Sequence, residues 1–395
     1  MATAQVRESD GAPDTAGQPR FRTPRAAYVH VPFCRHRCGY CNFTLVAGRT
    51  DLIQAYLQAL ARELRGLDST VSVETLFFGG GTPTHLEPAR LEQLCRTVRE
   101  RLSLSDGYEF SVEANPLDVT PEKLDVLAAA GATRLSLGAQ SFTPHKLQVL
   151  ERDHAGDDIE RAVQRTREAG LTVALDLIFA APGETVAAWQ SDIESALCLR
   201  PDHLSIYGLT WERGTNFWGR RLRGELAGCD ETAECIMYEW AIDRLLAAGY
   251  EHYEVSNFAR PGHRCRHNEA YWMGRTYYAF GPGAARHVAG RREVNHRSTT
   301  TYIRRVLAGQ SPVAESEFLT PAEAARERLV FGLRRLEGIA PDVFATETGF
   351  RLTDLAGPTL DRYCRSGWLE WQAGSLRLTR AGLLLSDALW PELLV

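Results

Sequence analysis

At 395 residues the chain is long enough for two or three ordinary domains, or for one large α/β barrel with an appendage. Hydrophobic residues make up 44% and charged residues 24%, a composition ordinary for a soluble globular protein. With 45 Lys plus Arg against 50 Asp plus Glu the formal charge is -5, which argues against a surface dominated by nucleic-acid binding, and no apolar stretch reaches the roughly 20 residues of a membrane span.

Residues 1–24 are a polar tail rich in Ala, Gly, Pro and Arg, a composition that predicts disorder. The tail lacks the apolar core of a secretory signal, and Glu8, Asp10 and Asp14 weigh against a mitochondrial transit peptide. Nine cysteines, only three of them clustered, do not form an evenly stapled disulfide framework. A reducing compartment is expected, with the cytoplasm as the default.

From residue 26 to about 209, short β-branched runs alternate with amphipathic runs. Strands are predicted over 26–31, 73–78, 108–113, 134–137, 171–179 and 203–207. Helices are predicted over 52–67, 89–102, 121–130, 157–169 and 186–198. In the first helix Leu57, Leu60, Ala61 and Leu64 repeat at the spacing of one buried face. Six βα units predict a parallel sheet with right-handed crossovers. Six units do not close an eight-stranded barrel, so residues 25–255 are read as a partial (β/α)6 barrel in an α/β fold. Another helix is expected over 231–248. Residues 256–320 are read as a connecting segment. From 321 to 395 come helices over 322–336, 341–348 and 355–366, a hairpin over 368–378 turning at Gly374, and a last helix from Thr379. That order resembles a smaller α+β, winged-helix-like domain.

The sharpest chemical signal directly follows the first strand: Cys34-Arg-His-Arg-Cys38-Gly-Tyr-Cys41. Three thiolates this close need a shared positive centre. An iron–sulfur cluster accepts such all-sulfur ligation, and three cysteines for four irons leave one iron open to an outside ligand. Zinc is the alternative, and it would need His30, His36 or a distant cysteine as its fourth ligand. Past the second strand stands Phe78-Gly79-Gly80-Gly81-Thr82-Pro83-Thr84, whose glycines let the backbone approach a ligand closely. No Gly-Lys-Ser/Thr follows, so it is not a phosphate loop. Glu113 ends the third strand, Gln140 and Ser141 follow the fourth, Asp176 interrupts the fifth, and Tyr207-Gly208 closes the sixth. Each alone reads as a loop or core residue. Together they occupy the carboxyl ends of consecutive strands, where barrel sites assemble.

These residues resemble the radical S-adenosylmethionine superfamily, in the branch that holds oxygen-independent coproporphyrinogen III oxidase and the HemW heme chaperones. The resemblance runs from Tyr28 to the C-terminus. It rests on Tyr28-Val-His-Val-Pro-Phe-Cys34, the cysteine triad, Gly79-Gly-Gly-Thr-Pro-Thr84, Glu113-Ala-Asn-Pro116, Arg134 to Phe142, Asp176-Leu-Ile, Tyr253-Glu-Val-Ser-Asn-Phe258 and His267-Asn-Glu-Ala-Tyr-Trp272. The family implies a [4Fe-4S] cluster on Cys34, Cys38 and Cys41, with the methionyl end of S-adenosylmethionine on the fourth iron. Tyr28 and the backbone at Tyr40 would line that site, and Gly80, Gly81 and Thr82 would receive the methionine. Glu113 would hydrogen-bond the ligand, while Gln140, Arg152, Asp176 and Gly208 would shape the rest of the pocket. Reductive cleavage to a 5′-deoxyadenosyl radical is the chemistry such a site implies.

The oxidase pattern carries a fourth cysteine two positions after the triad, where this chain has Phe43. That departure, and the heme-binding signature His267-Asn268-x-x-Tyr271-Trp272, resemble the chaperone branch. His267 can ligate heme iron, and Tyr271 and Trp272 offer flat apolar area to a macrocycle. The resemblance thus implies heme binding and delivery to respiratory acceptor proteins, with peripheral membrane contact through those partners, no nucleic acid, and dimers in some members. The rival readings are the oxidase itself and a zinc-stabilised binding module without redox chemistry.

Overall fold

β-branched runs with apolar residues at every second position build strands that bury one face completely. The structure, a computed structural model, describes residues 23–395; apart from its last two residues the N-terminal tail lies outside them. The six expected strands are β1 (Ala26–Val31), β2 (Val71–Gly80), β3 (Leu102–Ala114), β4 (Arg134–Gln140), β5 (Thr172–Phe179) and β6 (His203–Gly208). They lie side by side in sequence order, all parallel. The connecting helices are α1 (Ile53–Leu64), α2 (Pro88–Arg99), α3 (Pro121–Ala129), α4 (Gly156–Glu168) and α5 (Val186–Cys198). Threonine caps start two of them: Thr120 accepts from Lys123 N–H ahead of Pro121, and Thr185 from Ala188 N–H.

The helices cover one face of the sheet, where Phe78, Phe110, Val112, Leu135, Leu175 and Leu204 are fully buried. The other face is polar and encloses the lumen of an incomplete barrel. There the register sets His30 beside Gly79, Glu113 beside Ser136 and Asp176 beside Ser205.

The sheet extends past the six strands at both edges. After helix α6 (Glu231–Ala247), β7 (Glu251–Glu254) and β8 (Asn257–Ala259) form a hairpin whose second strand pairs antiparallel with β6. Beyond the short helix α7 (Arg266–Trp272), β9 (Tyr277–Phe280) runs parallel to β1 on its free side. It is followed by the antiparallel strands β10 (Ala285–Val288), β11 (Arg291–Asn295) and, after helix α8 (Thr299–Leu307), β12 (Val313–Phe318). Residues 256–320 therefore supply strands to both edges of one twelve-stranded sheet. The order is β12-β11-β10-β9-β1-β2-β3-β4-β5-β6-β8-β7. The exposed edge strand β12 carries Glu315 and Glu317, charges that blunt pairing with another chain.

The C-terminal part is built from α9 (Pro321–Arg334), α10 (Pro341–Thr348) and α11 (Leu352–Arg365). The hairpin of β13 (Leu369–Gln372) and β14 (Ser375–Leu378) turns through Ala373 and Gly374, both at positive φ, and two short helices follow. Its apolar residues, Leu329, Phe344, Leu376 and Leu393 among them, belong to the same continuous core as the barrel.

Candidate functional site

The loop after β1 carries the cysteines. Residues 33–34 pair with 46–47 as a short parallel bridge that closes its base, and Cys41 N–H donates to Cys38 O at 3.1 Å. Cys34 Sγ lies 3.5 Å from Thr82 Oγ1 at the end of the glycine turn. Arg152 donates through Nη1 to Cys38 Sγ at 3.4 Å and through Nη2 to Gly138 O at 2.9 Å. Tyr40 meets Phe217 edge-on, and Phe217 N–H donates to Gly39 O. Burial pushes the Cys34 thiol up to about 11 and raises Cys41, and the neighbouring thiols push the same way.

No group of His, Cys, Asp or Glu side chains among the described residues is gathered tightly enough to hold an ion as it stands. The triad is a set of neighbouring thiols on an anchored loop. Their mutual cost of ionisation would be relieved by one shared positive centre. Of the two histidines that a closed zinc site would draw on, His36 stays beside the triad, its Nε2 3.7 Å from Cys38 Sγ, while His30 is engaged elsewhere. His36 Nε2 donates to Glu151 O at 2.6 Å, and His30 Nε2 donates to Thr44 O at 2.6 Å while its Nδ1 accepts from Tyr28 Oη at 3.0 Å. Three sulfurs, with no fourth protein ligand gathered to them among the described residues, fit an iron–sulfur cluster with an open position.

The glycine turn is shaped by contact. Gly80 has φ +102°, and a Cβ there would overlap the His30 ring. A Cβ on Gly81 would meet Val31 O at 2.6 Å, and one on Gly79 would meet the Glu113 carboxyl at 2.8 Å. Gly80 N–H donates to Glu113 Oε2 at 2.9 Å. Burial raises Glu113 to about 8, opposed by that N–H and helped by the Asp176 charge. Asp176 is itself raised to about 6 by burial, and Ser136 Oγ donates to it at 3.2 Å. At the end of β4 the register slips between Leu137 and Gln140, and Gln140 takes φ +63°. A bulge of this kind re-aims a side chain at a barrel rim. Gly208, at the end of β6, is flanked by Phe179 and Glu234.

The heme-signature residues do not share one environment. His267 is 1% exposed. Its Nδ1 lies 2.9 Å from Thr75 Oγ1, its Nε2 lies 2.9 Å from Tyr271 Oη, and its ring stacks on Phe77. In this conformation it is a fully satisfied core histidine, held neutral as burial pulls it down to about 3. For Nε2 to meet a metal, the bond to Tyr271 would first have to open. Asn268 is half-buried, with its backbone N–H toward the Cys265 sulfur. Tyr271 faces the same opening as Tyr28. Trp272 leaves the barrel and packs on α9, under the Arg334 guanidinium at 4.4 Å and beside Phe331.

Residues 28–196 match the model of the radical SAM superfamily, and residues 319–385 that of the HemN C-terminal domain. The chain is 34% identical over 375 residues to the heme chaperone HemW of Bacillus subtilis, covering 94% of this chain and 99% of that one. It is 37% identical over 380 residues to the heme chaperone HemW of Mycobacterium tuberculosis, covering 94% and 95%. The chain belongs to the HemW family of radical SAM proteins. Its fold is shared with coproporphyrinogen III oxidase (HemN) from Escherichia coli, with a TM-score of 0.83 at 22% identity over 94% of this chain and 90% of that one.

Within this HemW-family fold, several residues hold the site in roles that the motifs do not announce. His30 packs against Gly80 of the glycine turn and bonds to Thr44 O beyond the cysteines; its place two residues after Tyr28 on one strand puts both on one face, a signal that was available. Glu109 accepts from the backbone N–H of Arg266 and His267, both at 3.1 Å, and so fixes the start of α7. Arg134 pairs with it at 3.2 Å and also donates to His263 O and Arg264 O. Both are charged residues inside an apolar strand run, and Arg134 also opens one of the motifs that carry the family resemblance. Thr75, Phe77 and Phe217 carry no such hint.

Proposed function

We propose that this chain is a heme chaperone that holds a [4Fe-4S] cluster and S-adenosylmethionine and passes heme to acceptor proteins, respiratory enzymes at the membrane face among them. The observation that carries the reading is near-full-length similarity to heme chaperones in a chain with Phe43, 65% exposed, where the oxidase pattern has a thiol. Cys34, Cys38 and Cys41 are the cluster ligands in this reading. Gly80, Gly81 and Thr82 receive the methionyl end; Glu113, Gln140, Arg152, Asp176 and Gly208 shape the rest; Tyr28 and Tyr40 line the site. The bound pair supplies one-electron reduction of a sulfonium. Arg152 orients Cys38 against β4, and Glu113 holds or releases a proton beside the Gly80 N–H. Tyr271 covers His267 and releases it when heme arrives. No helix among the described residues is long and apolar enough to cross a membrane, so membrane contact in this reading runs through partners, from the cytoplasm.

The test is anaerobic purification, followed by metal and sulfide analysis and heme titration of wild type and His267→Ala. About four irons and four sulfides per chain are expected, with heme bound and handed to an acceptor apoprotein. Weaker binding and a shifted Soret band in the variant are expected for an axial ligand; an unchanged band removes His267 from that role. Conversion of coproporphyrinogen III with consumption of S-adenosylmethionine would establish the oxidase instead, and zinc without iron the redox-free module.

A further inference from the structure

An open cleft of about 400 Å³ separates the cysteine loop from strands β9–β11, within the size range of small-molecule sites. Tyr28 of β1, Tyr271 of α7 and Tyr277 of β9 form an aromatic wall, the last two packed edge to face with centroids 4.6 Å apart. Small residues, Gly283 to Ala285, leave room beside it. Phe43 and Arg297, both exposed, stand at the rim.

We propose that this cleft seats the heme, with the macrocycle against the tyrosine wall and its propionates on Arg297. The inference rests on the heme-chaperone reading and deepens it by naming the site and the group that recognises the ligand's charge.

Two observations carry it. The first is charge. No carboxylate among the described residues lines the cleft, and His30 at its base is held neutral by burial, which pulls it down to about 4. The cation at the rim is Arg297, which has no carboxylate partner among the described residues. It donates instead to Asn42 O at 2.9 Å and to Thr44 Oγ1 at 3.3 Å. A guanidinium has five N–H donors in a planar fork, so donors remain for a carboxylate. A flat, largely apolar ring bearing carboxylates satisfies both the wall and the rim. The second is position. Tyr271 is the signature residue that reaches the cleft, and the far side of its hydroxyl holds His267 Nε2. Of the signature, Tyr271 is the residue that lines this cleft; His267 is buried behind it and Trp272 packs on α9.

The experiment titrates the cluster-loaded full chain with hemin and with hemin dimethyl ester, which lacks free carboxylates. Wild type is compared with Arg297→Ala, Arg297→Lys and Ala285→Phe, and cluster absorbance and melting temperature are followed alongside. Arg297→Ala should weaken hemin binding about tenfold, as expected for loss of a charge-assisted hydrogen bond. Arg297→Lys should fall between. The ester should bind wild type and Arg297→Ala alike, and Ala285→Phe should weaken both ligands by filling the cleft. Hemin binding that is unchanged in Arg297→Ala and Ala285→Phe overturns the cleft while leaving the chaperone reading intact. Wild type that binds no hemin overturns the chaperone reading, and the cleft with it. Arg297 is exposed, so its variants remain informative even if Ala285→Phe does not fold.

Discussion

Gly80 is placed where the backbone and the His30 ring converge. Its positive φ and the missing Cβ are both needed there. Gly80→Ala should cost about 1–3 kcal/mol through backbone strain and displacement of His30. Urea denaturation of the apoprotein would read that loss, and S-adenosylmethionine titration should show a larger loss of affinity than any change in folding. Glu113 adds a pH dependence. Its carboxyl is raised to about 8, so below that pH most molecules hold it protonated. A ligand that uses the carboxylate as an acceptor must first displace the proton. Apparent affinity for S-adenosylmethionine should therefore rise with pH, by up to about tenfold per unit below pH 8, and level off above it. Glu113→Gln should flatten the curve. A wild-type profile already flat from pH 6 to 8 would show that binding does not change the protonation of Glu113.

Helix α7 is seven residues long and too short to be stable by itself. Its position comes from outside: Glu109 caps its first N–H groups, and the buried Glu109–Arg134 pair is bonded to the chain that leads into it. Removing one member of a buried ion pair strands the other, at a cost of about 3–5 kcal/mol. Glu109→Ala is expected to destabilise the protein by that order in chemical denaturation. It should also release α7, seen as faster hydrogen exchange at residues 266–272. Loss of stability with unchanged exchange there would mean that the pair supports only the sheet.

The C-terminal part is joined to the barrel by backbone and side chain together. Val255 N–H donates to Arg334 O and Leu336 N–H to Tyr253 O, both at 3.2 Å, which covers the open edge of β7. Arg334 reaches the buried Glu254 at 3.5 Å, Arg380 pairs with Asp243 of α6 at 2.6 Å, and one apolar core runs through both parts. Barrel and C-terminal part should therefore melt as one transition in calorimetry of the apoprotein. Arg334→Ala should lower that single transition; two resolved transitions in wild type would show that the shared core does not couple them.

Much of this molecule could be read along the chain. The six strands and their helices announce themselves because a buried face repeats every two or every 3.6 residues, a property of local geometry. The cysteine triad and the glycine turn are local as well, being set by loops of eight and three residues. Residues distant in sequence could not be paired that way. Nothing near Tyr277 foretells that it runs parallel to β1, about 250 residues upstream, or that residues 256–320 flank the sheet on both sides. His267 reads as a metal ligand by type, yet Thr75, Phe77 and Tyr271 enclose it, and two of those three come from a strand about 190 residues away. Whether a histidine is a ligand or a packed core residue depends on what desolvates it and which partners take its nitrogens. Those partners are chosen by strand order and helix docking, where contacts form between segments that no local pattern connects.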